Sequence, residues 1–134
     1  MRKSLTASST TFCSVLASIL MSAQTYAQQS IALKNGESTD LGNVWYVVNC
    51  RSIMLGMPEV EILEGPPGLT LSIKDAMVLP RRLNCAKEVP GGILVATAAE
   101  VKEPVQGKLV YRIKYKTKEG DRQRSGTYNV TLFP

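Results

Sequence analysis

The chain contains no histidine in 134 residues. That absence removes the commonest general base, the commonest metal ligand and the usual partner of a serine or cysteine nucleophile. Cysteine is scarce, at three residues, too few for a Cys/His zinc centre once pairing is considered. Aromatic residues make up only 6% of the chain, and no run of them accompanies the cations as a base-stacking platform, so nucleic acid is not the expected partner. After the N-terminal stretch, no segment approaches the ~20 apolar residues of a membrane-spanning helix. Long uninterrupted stretches are missing as well. Asn35-Gly36, Leu41-Gly42-Asn43, Gly56-Met57-Pro58, Gly65-Pro66-Pro67-Gly68, Pro80, Pro90-Gly91-Gly92, Gly107, Gly120 and Gly126 break the chain too often for helices. No cofactor motif occurs.

What stands at the start has the form of an export signal. Met1-Arg2-Lys3 is basic, Phe12 to Met21 is mostly apolar, and Thr25-Tyr26-Ala27 offers small residues for cleavage, expected after Ala27. Cys13 follows Thr10-Thr11-Phe12 and lacks the small residues of a lipid-attachment site, so the expected product is an unanchored domain, residues 28–134, in the periplasm or outside the cell. Cys50 and Cys85 then form an even pair in an oxidising compartment, where a structural disulfide is expected. A redox-active pair is the other reading, but catalytic dithiols usually stand close in sequence. Closing this loop should contribute about 3–4 kcal/mol.

Between the breakers lie short runs of Val, Ile, Leu, Tyr and Thr, the pattern of strands. Expected strands are Ser30 to Lys34; Val44 to Ser52, apolar on both sides and so central, with Trp45 in the core; Glu59 to Leu63, with Val60 and Ile62 inward; Leu69 to Ile73; and Ile93 to about Ala99. A long hairpin follows. Leu109, Tyr111, Ile113 and Tyr115 alternate with Lys108, Arg112, Lys114 and Lys116, and Tyr128, Val130 and Leu132 alternate with Thr127, Asn129 and Thr131. About seven strands in roughly a hundred residues predict an all-β, immunoglobulin-like two-sheet sandwich with one disulfide.

Two stretches carry a likeness to known modules. Gly65-Pro66-Pro67-Gly68-Leu69-Thr70-Leu71 resembles the mid-domain turn, and Ser125-Gly126-Thr127-Tyr128-Asn129-Val130-Thr131-Leu132 the final strand, of bacterial immunoglobulin-like and cadherin-like domains. The likeness implies a sandwich. Unlike an antibody domain, this chain has its tryptophan before both cysteines.

The charge is concentrated. Residues 28–134 hold fourteen Lys and Arg against eleven acids, whereas residues 101–134 hold eight against three. Lys108, Arg112, Lys114, Lys116, Lys118, Arg122 and Arg124 therefore form the candidate patch for an anionic envelope component or partner protein. The competing explanation is a solvated strand that resists edge pairing. Glu59 and Glu61, about 6.5–7 Å apart along a strand, suit glycoside hydrolysis by spacing alone, but a flat solvated face gives no means of separating their pKa values. Met54 and Met57, with Met77 further on, offer soft ligands for Cu(I), though methionine more often fills core gaps. Asn129-Val130-Thr131 fits a glycosylation sequon and equally fits strand alternation. The expectation is a monomeric, non-enzymatic binding or accessory module; the alternatives are a pilin-like assembly subunit and a small copper-binding protein.

Overall fold

A computed structural model describes residues 29–134; the expected leader, Met1 to Ala27, lies outside the described residues. Nine strands follow in order: β1 (Ser30–Lys34), β2 (Ser38–Val44), β3 (Val47–Val48), β4 (Arg51–Ser52), β5 (Glu59–Glu64), β6 (Leu69–Val78), β7 (Val89–Ala98), β8 (Val105–Thr117) and β9 (Gly120–Phe133). A 3-10 turn, Arg81–Leu83, interrupts the loop before β7. No helix among the described residues is long and apolar enough to cross a membrane.

Four strands form one sheet in the order β1-β9-β8-β5, three form a second in the order β2-β7-β6, and β3-β4 is a separate ribbon. The sheets enclose two clusters. Leu33, Leu69, Ala96, Ala98, Leu109, Tyr128, Val130 and Leu132 fill one; Val44, Leu94, Ile113 and Tyr115 fill the other. The protein is thus an all-β sandwich, and its core is built by the period-two alternation of β7, β8 and β9.

The two ends of the sandwich are closed differently. At one, the β1–β2 turn is knitted to the end of β7 by Gly36 N–H to Ala98 O at 2.8 Å and Ala98 N–H to Glu37 O at 2.9 Å. The Asn35 side chain also accepts from Val101 N–H at 3.2 Å. At the other, the Cys50–Cys85 disulfide, with Cα atoms 5.5 Å apart, joins the β3–β4 turn to the loop between β6 and β7.

Several expectations change here. Val44 to Ser52 is not one strand. Asn49 and Cys50 have φ of 53° and 59°, the left-handed pair that a two-residue hairpin turn requires, so the chain reverses where a central strand was expected. Trp45 is only half-buried, after the end of β2; the fully buried neighbour is Val44. Ile62 is 39% exposed, beside a register shift between Ile62 and Glu64.

Strands also run through expected turns. β2 contains Leu41-Gly42-Asn43 because a bulge absorbs Leu41: Asp40 pairs with Val95 and Gly42 with Leu94. β7 contains Gly91 and Gly92 because neighbours pack into the space a side chain would need. A Cβ on Gly91 would lie 2.5 Å from Val44 O, and one on Gly92 2.6 Å from Ile73 Cγ2.

Candidate functional site

The β8–β9 register sorts the hairpin cations by face. Residues directly opposite one another in an antiparallel pair point to the same side, and Lys108, Arg112, Lys114 and Lys116 stand opposite Asn129, Ser125, Gln123 and Asp121. Tyr115 stands opposite Arg122, and Ile113 opposite Arg124. Because Ile113 and Tyr115 are 4% and 2% exposed, this second face is the one that turns toward the other sheet. The sequence grouped Arg122 and Arg124 with the lysines; the register turns both to the other face, although Arg122, near the strand end, still shares a hollow with Lys114 and Lys116.

On the outer face the cations meet carboxylates. β5 pairs with β8 so that Glu59 stands opposite Lys114 and Glu61 opposite Arg112. Glu61 bridges both neighbours, with Arg112 Nε and Lys114 Nζ each 3.2 Å from one of its oxygens. The two-carboxylate row and the cationic row, read separately in the sequence, are one charge ladder.

Nearer the hairpin tip, a hollow of about 370 Å³ is lined by Lys114, Lys116 and Arg122 together with Glu59 and Asp121. Lys118 shares another hollow with Arg51 and Glu119. Lys108 is exposed opposite Asn129. Of the outer cations, Arg112 and Lys114 are ion-paired, both through Glu61.

Arg124 differs. Its guanidinium lies over the Trp45 ring, 5.8 Å from the centroid, a cation–π arrangement. The two side chains form one rim of a cleft of about 370 Å³ that opens between the sheets. Arg81 and Arg82, from the 3-10 turn, also line it, together with Leu41, Val44, Leu79, Leu94, Tyr111, Ile113 and Tyr128; among the described residues no acidic one does. Among the described residues the side-chain ion pairs are those of Glu61 alone, so all three guanidinium groups lack an acidic partner.

The fold opens this cleft for identifiable reasons. Among the described residues, β1 pairs with β9 only over Asn129 to Phe133, and none pairs with the Arg124 stretch on that side. The bulge at Leu41 turns that carbonyl to accept from Tyr128 O–H at 2.8 Å. Tyr111 stacks with Tyr128, centroids 6.1 Å apart, and its ring occupies the space where Gly126 has no side chain. Opposite, the disulfide joins the turn that follows Trp45 to the loop that bears Arg81 and Arg82. The bridge therefore ties the cleft's two walls together.

Burial pushes the pKa of Tyr111, Tyr115 and Tyr128 above the ordinary tyrosine value. For Tyr115 the Arg124 charge opposes that shift, and for Tyr111 it does so after a further rise from Tyr128. The cleft thus presents neutral hydroxyls beside fixed positive charge. Tyr115 O–H is buried without a hydrogen-bond partner, while its ring packs 5.5 Å from that of Tyr46.

The three candidate methionines differ in their surroundings. Met54 packs against the Val44–Tyr115 cluster, whereas Met57 and Met77 are 47% and 56% exposed. Met57 reaches across so that its Cε lies 3.6 Å from the side-chain position of Gly92. Sequence reasoning missed Trp45, Arg81 and Arg82 as site residues. The available signal was an adjacent arginine pair and the chain's one tryptophan, each close to a bridging cysteine.

Compared with known protein families, curated proteins and solved structures, the chain returns no match.

Proposed function

We propose that the protein is an exported, non-enzymatic binding module that seats an anionic group of an envelope component or partner protein in the Trp45–Arg124 cleft. The observation that carries this reading is three arginines around one hollow with no carboxylate in its wall. Cations grouped around a concave wall focus positive potential on one spot, which holds an anion better than the same cations spread along a flat face. The outer ladder is a weaker seat, because Glu61 bridges Arg112 and Lys114 and offsets part of their charge.

An immunoglobulin-like assignment fits the strand order. Such domains carry B, E and D in one sheet and C, F and G in the other; β2-β7-β6 and β5-β8-β9 follow that order. The first strand departs from it by lying parallel to the last. The disulfide and the basic-apolar-small leader support an oxidising compartment beyond the inner membrane.

The test is retention of the purified, oxidised protein on an anionic envelope fraction at rising salt. The triple change Arg81→Gln, Arg82→Gln and Arg124→Gln should abolish retention, with the thermal midpoint unchanged. Retention that ignored both salt and these substitutions would sink the reading.

A further inference from the structure

Resting on that reading, we infer that the cleft's ligand is a small amphipathic oxyanion, a carboxylate or phosphate carried on an apolar body. The wall is divided in a way that a bare anion does not use. Arg81, Arg82 and Arg124 hold the rim, whereas Val44, Leu94 and Ile113, at 1%, 3% and 4% exposure, make the floor. Leu41, Leu79 and the Trp45 ring extend that apolar surface up to the arginines.

Inorganic phosphate would meet the guanidinium forks and leave the half-exposed apolar wall of Leu41, Leu79 and Trp45 uncovered. A neutral hydrocarbon would cover the floor and leave the arginines unanswered. Only a molecule with both parts satisfies both surfaces. The volume of about 370 Å³ is near the small end of ligand clefts, which run from roughly 300 to 1,000 Å³, so the apolar body is a short chain or a single ring. Tyr128 O–H is already engaged by Leu41 O, which leaves the Tyr111 hydroxyl as the neutral donor beside the anionic head.

Trp45 is the chain's one tryptophan and lines this cleft, so its emission reports occupancy directly. Titrating the oxidised protein with butanoate, hexanoate and octanoate should give saturable changes whose affinity rises about fourfold per methylene, until the chain outgrows the cleft. Inorganic phosphate should bind at least tenfold more weakly than octanoate. Arg124→Glu should abolish the response to all of them. Leu79→Ser should weaken octanoate about tenfold and leave inorganic phosphate unchanged, which separates loss of the apolar wall from loss of folding. Vesicles of phosphatidylglycerol form a parallel arm: a matching Trp45 response identifies a membrane lipid as the source, and a response to octanoate alone identifies a free amphiphile.

Equal affinities across the carboxylate series, with phosphate as strong, would overturn this inference and leave the anion-binding reading standing. No saturable Trp45 response to any probe, together with envelope retention that survives Arg124→Glu, would overturn both.

Discussion

The two faces of the β8–β9 hairpin are both cationic, and they differ in what stands opposite. Outside, Arg112 and Lys114 meet Glu61 across one strand of register. Inside, Arg124 lies over an indole ring, at a cleft lined by two more arginines and, among the described residues, by no acid. Counting charges along a strand therefore says little about which charges are available. The neighbouring strand decides, and it is assigned by topology. The inner face also carries the packed apolar residues, so a substitution of Leu109 or Ile113 acts on the core, whereas one of the exposed cations on either face acts on solvent.

The largest effects expected are in the packing. Leu109 is 0% exposed, and Leu109→Ala should cost about 2–5 kcal/mol through lost burial and a residual cavity, whereas Lys108→Ala, its neighbour on the other face, should stay within about 0.5 kcal/mol. Urea midpoints for the two variants measure the difference; equal costs would erase the distinction between the faces.

Next comes the bridge. Cys50→Ser with Cys85→Ser should lower stability by about 3 kcal/mol and, because the disulfide ties the arginine loop to the Trp45 wall, should weaken anion retention in the population that remains folded. A stability loss with retention unchanged would separate the bridge from the cleft.

These two expectations mark how far the sequence was legible. Leu109, Ile113, Tyr115, Tyr128, Val130 and Leu132 could be placed inward from period two alone, because a long hairpin with strict alternation leaves one register for its apolar set. β1 was legible as a short run ending before the Asn35-Gly36 breaker, and the disulfide followed from compartment and parity. β2 was not, because Leu41-Gly42-Asn43 has the composition of a turn and becomes a strand only through a bulge paired to β7. Gly91 and Gly92 are strand residues because other chain segments come too close for side chains, which is information held by the neighbours. The site was half legible. Arg124 appeared in the candidate set by composition, but its partner Trp45 was assigned to the core and Arg81 and Arg82 to a connecting loop. Nothing local places residues 45, 81 and 124 around one hollow; three separate elements have to converge first.

A moderate effect is expected at high pH. Tyr111, Tyr115 and Tyr128 have folded pKa values raised above the unfolded value of about 10 by burial. Their contribution to stability is complete below that value and is lost as pH rises through the folded pKa values, since the unfolded chain ionises first. Stability against urea should thus fall above about pH 10, with tyrosinate absorbance growing in step with unfolding. Full tyrosinate absorbance in a still-folded protein would mean that the inner face is open to water.

The smallest effect is on the ladder. The bridges of Glu61 are partly exposed, and such pairs contribute about 0–1 kcal/mol, so Glu61→Gln should barely move the thermal midpoint. It should nevertheless release Arg112 and Lys114, giving the outer face a salt-sensitive affinity for a polyanionic resin that the parent protein lacks. Absence of that gain would mean that the ladder does not neutralise the face.

The most direct measurement compares two single charge reversals on opposite faces of one hairpin, Arg124→Glu and Lys114→Glu, in retention on the same anionic envelope fraction. Arg124→Glu should lose retention at least tenfold, and Lys114→Glu should keep it within about twofold, since Glu61 already offsets that cation. Equal losses, or a loss confined to Lys114→Glu, would contradict the claim that the available positive charge lies between the sheets.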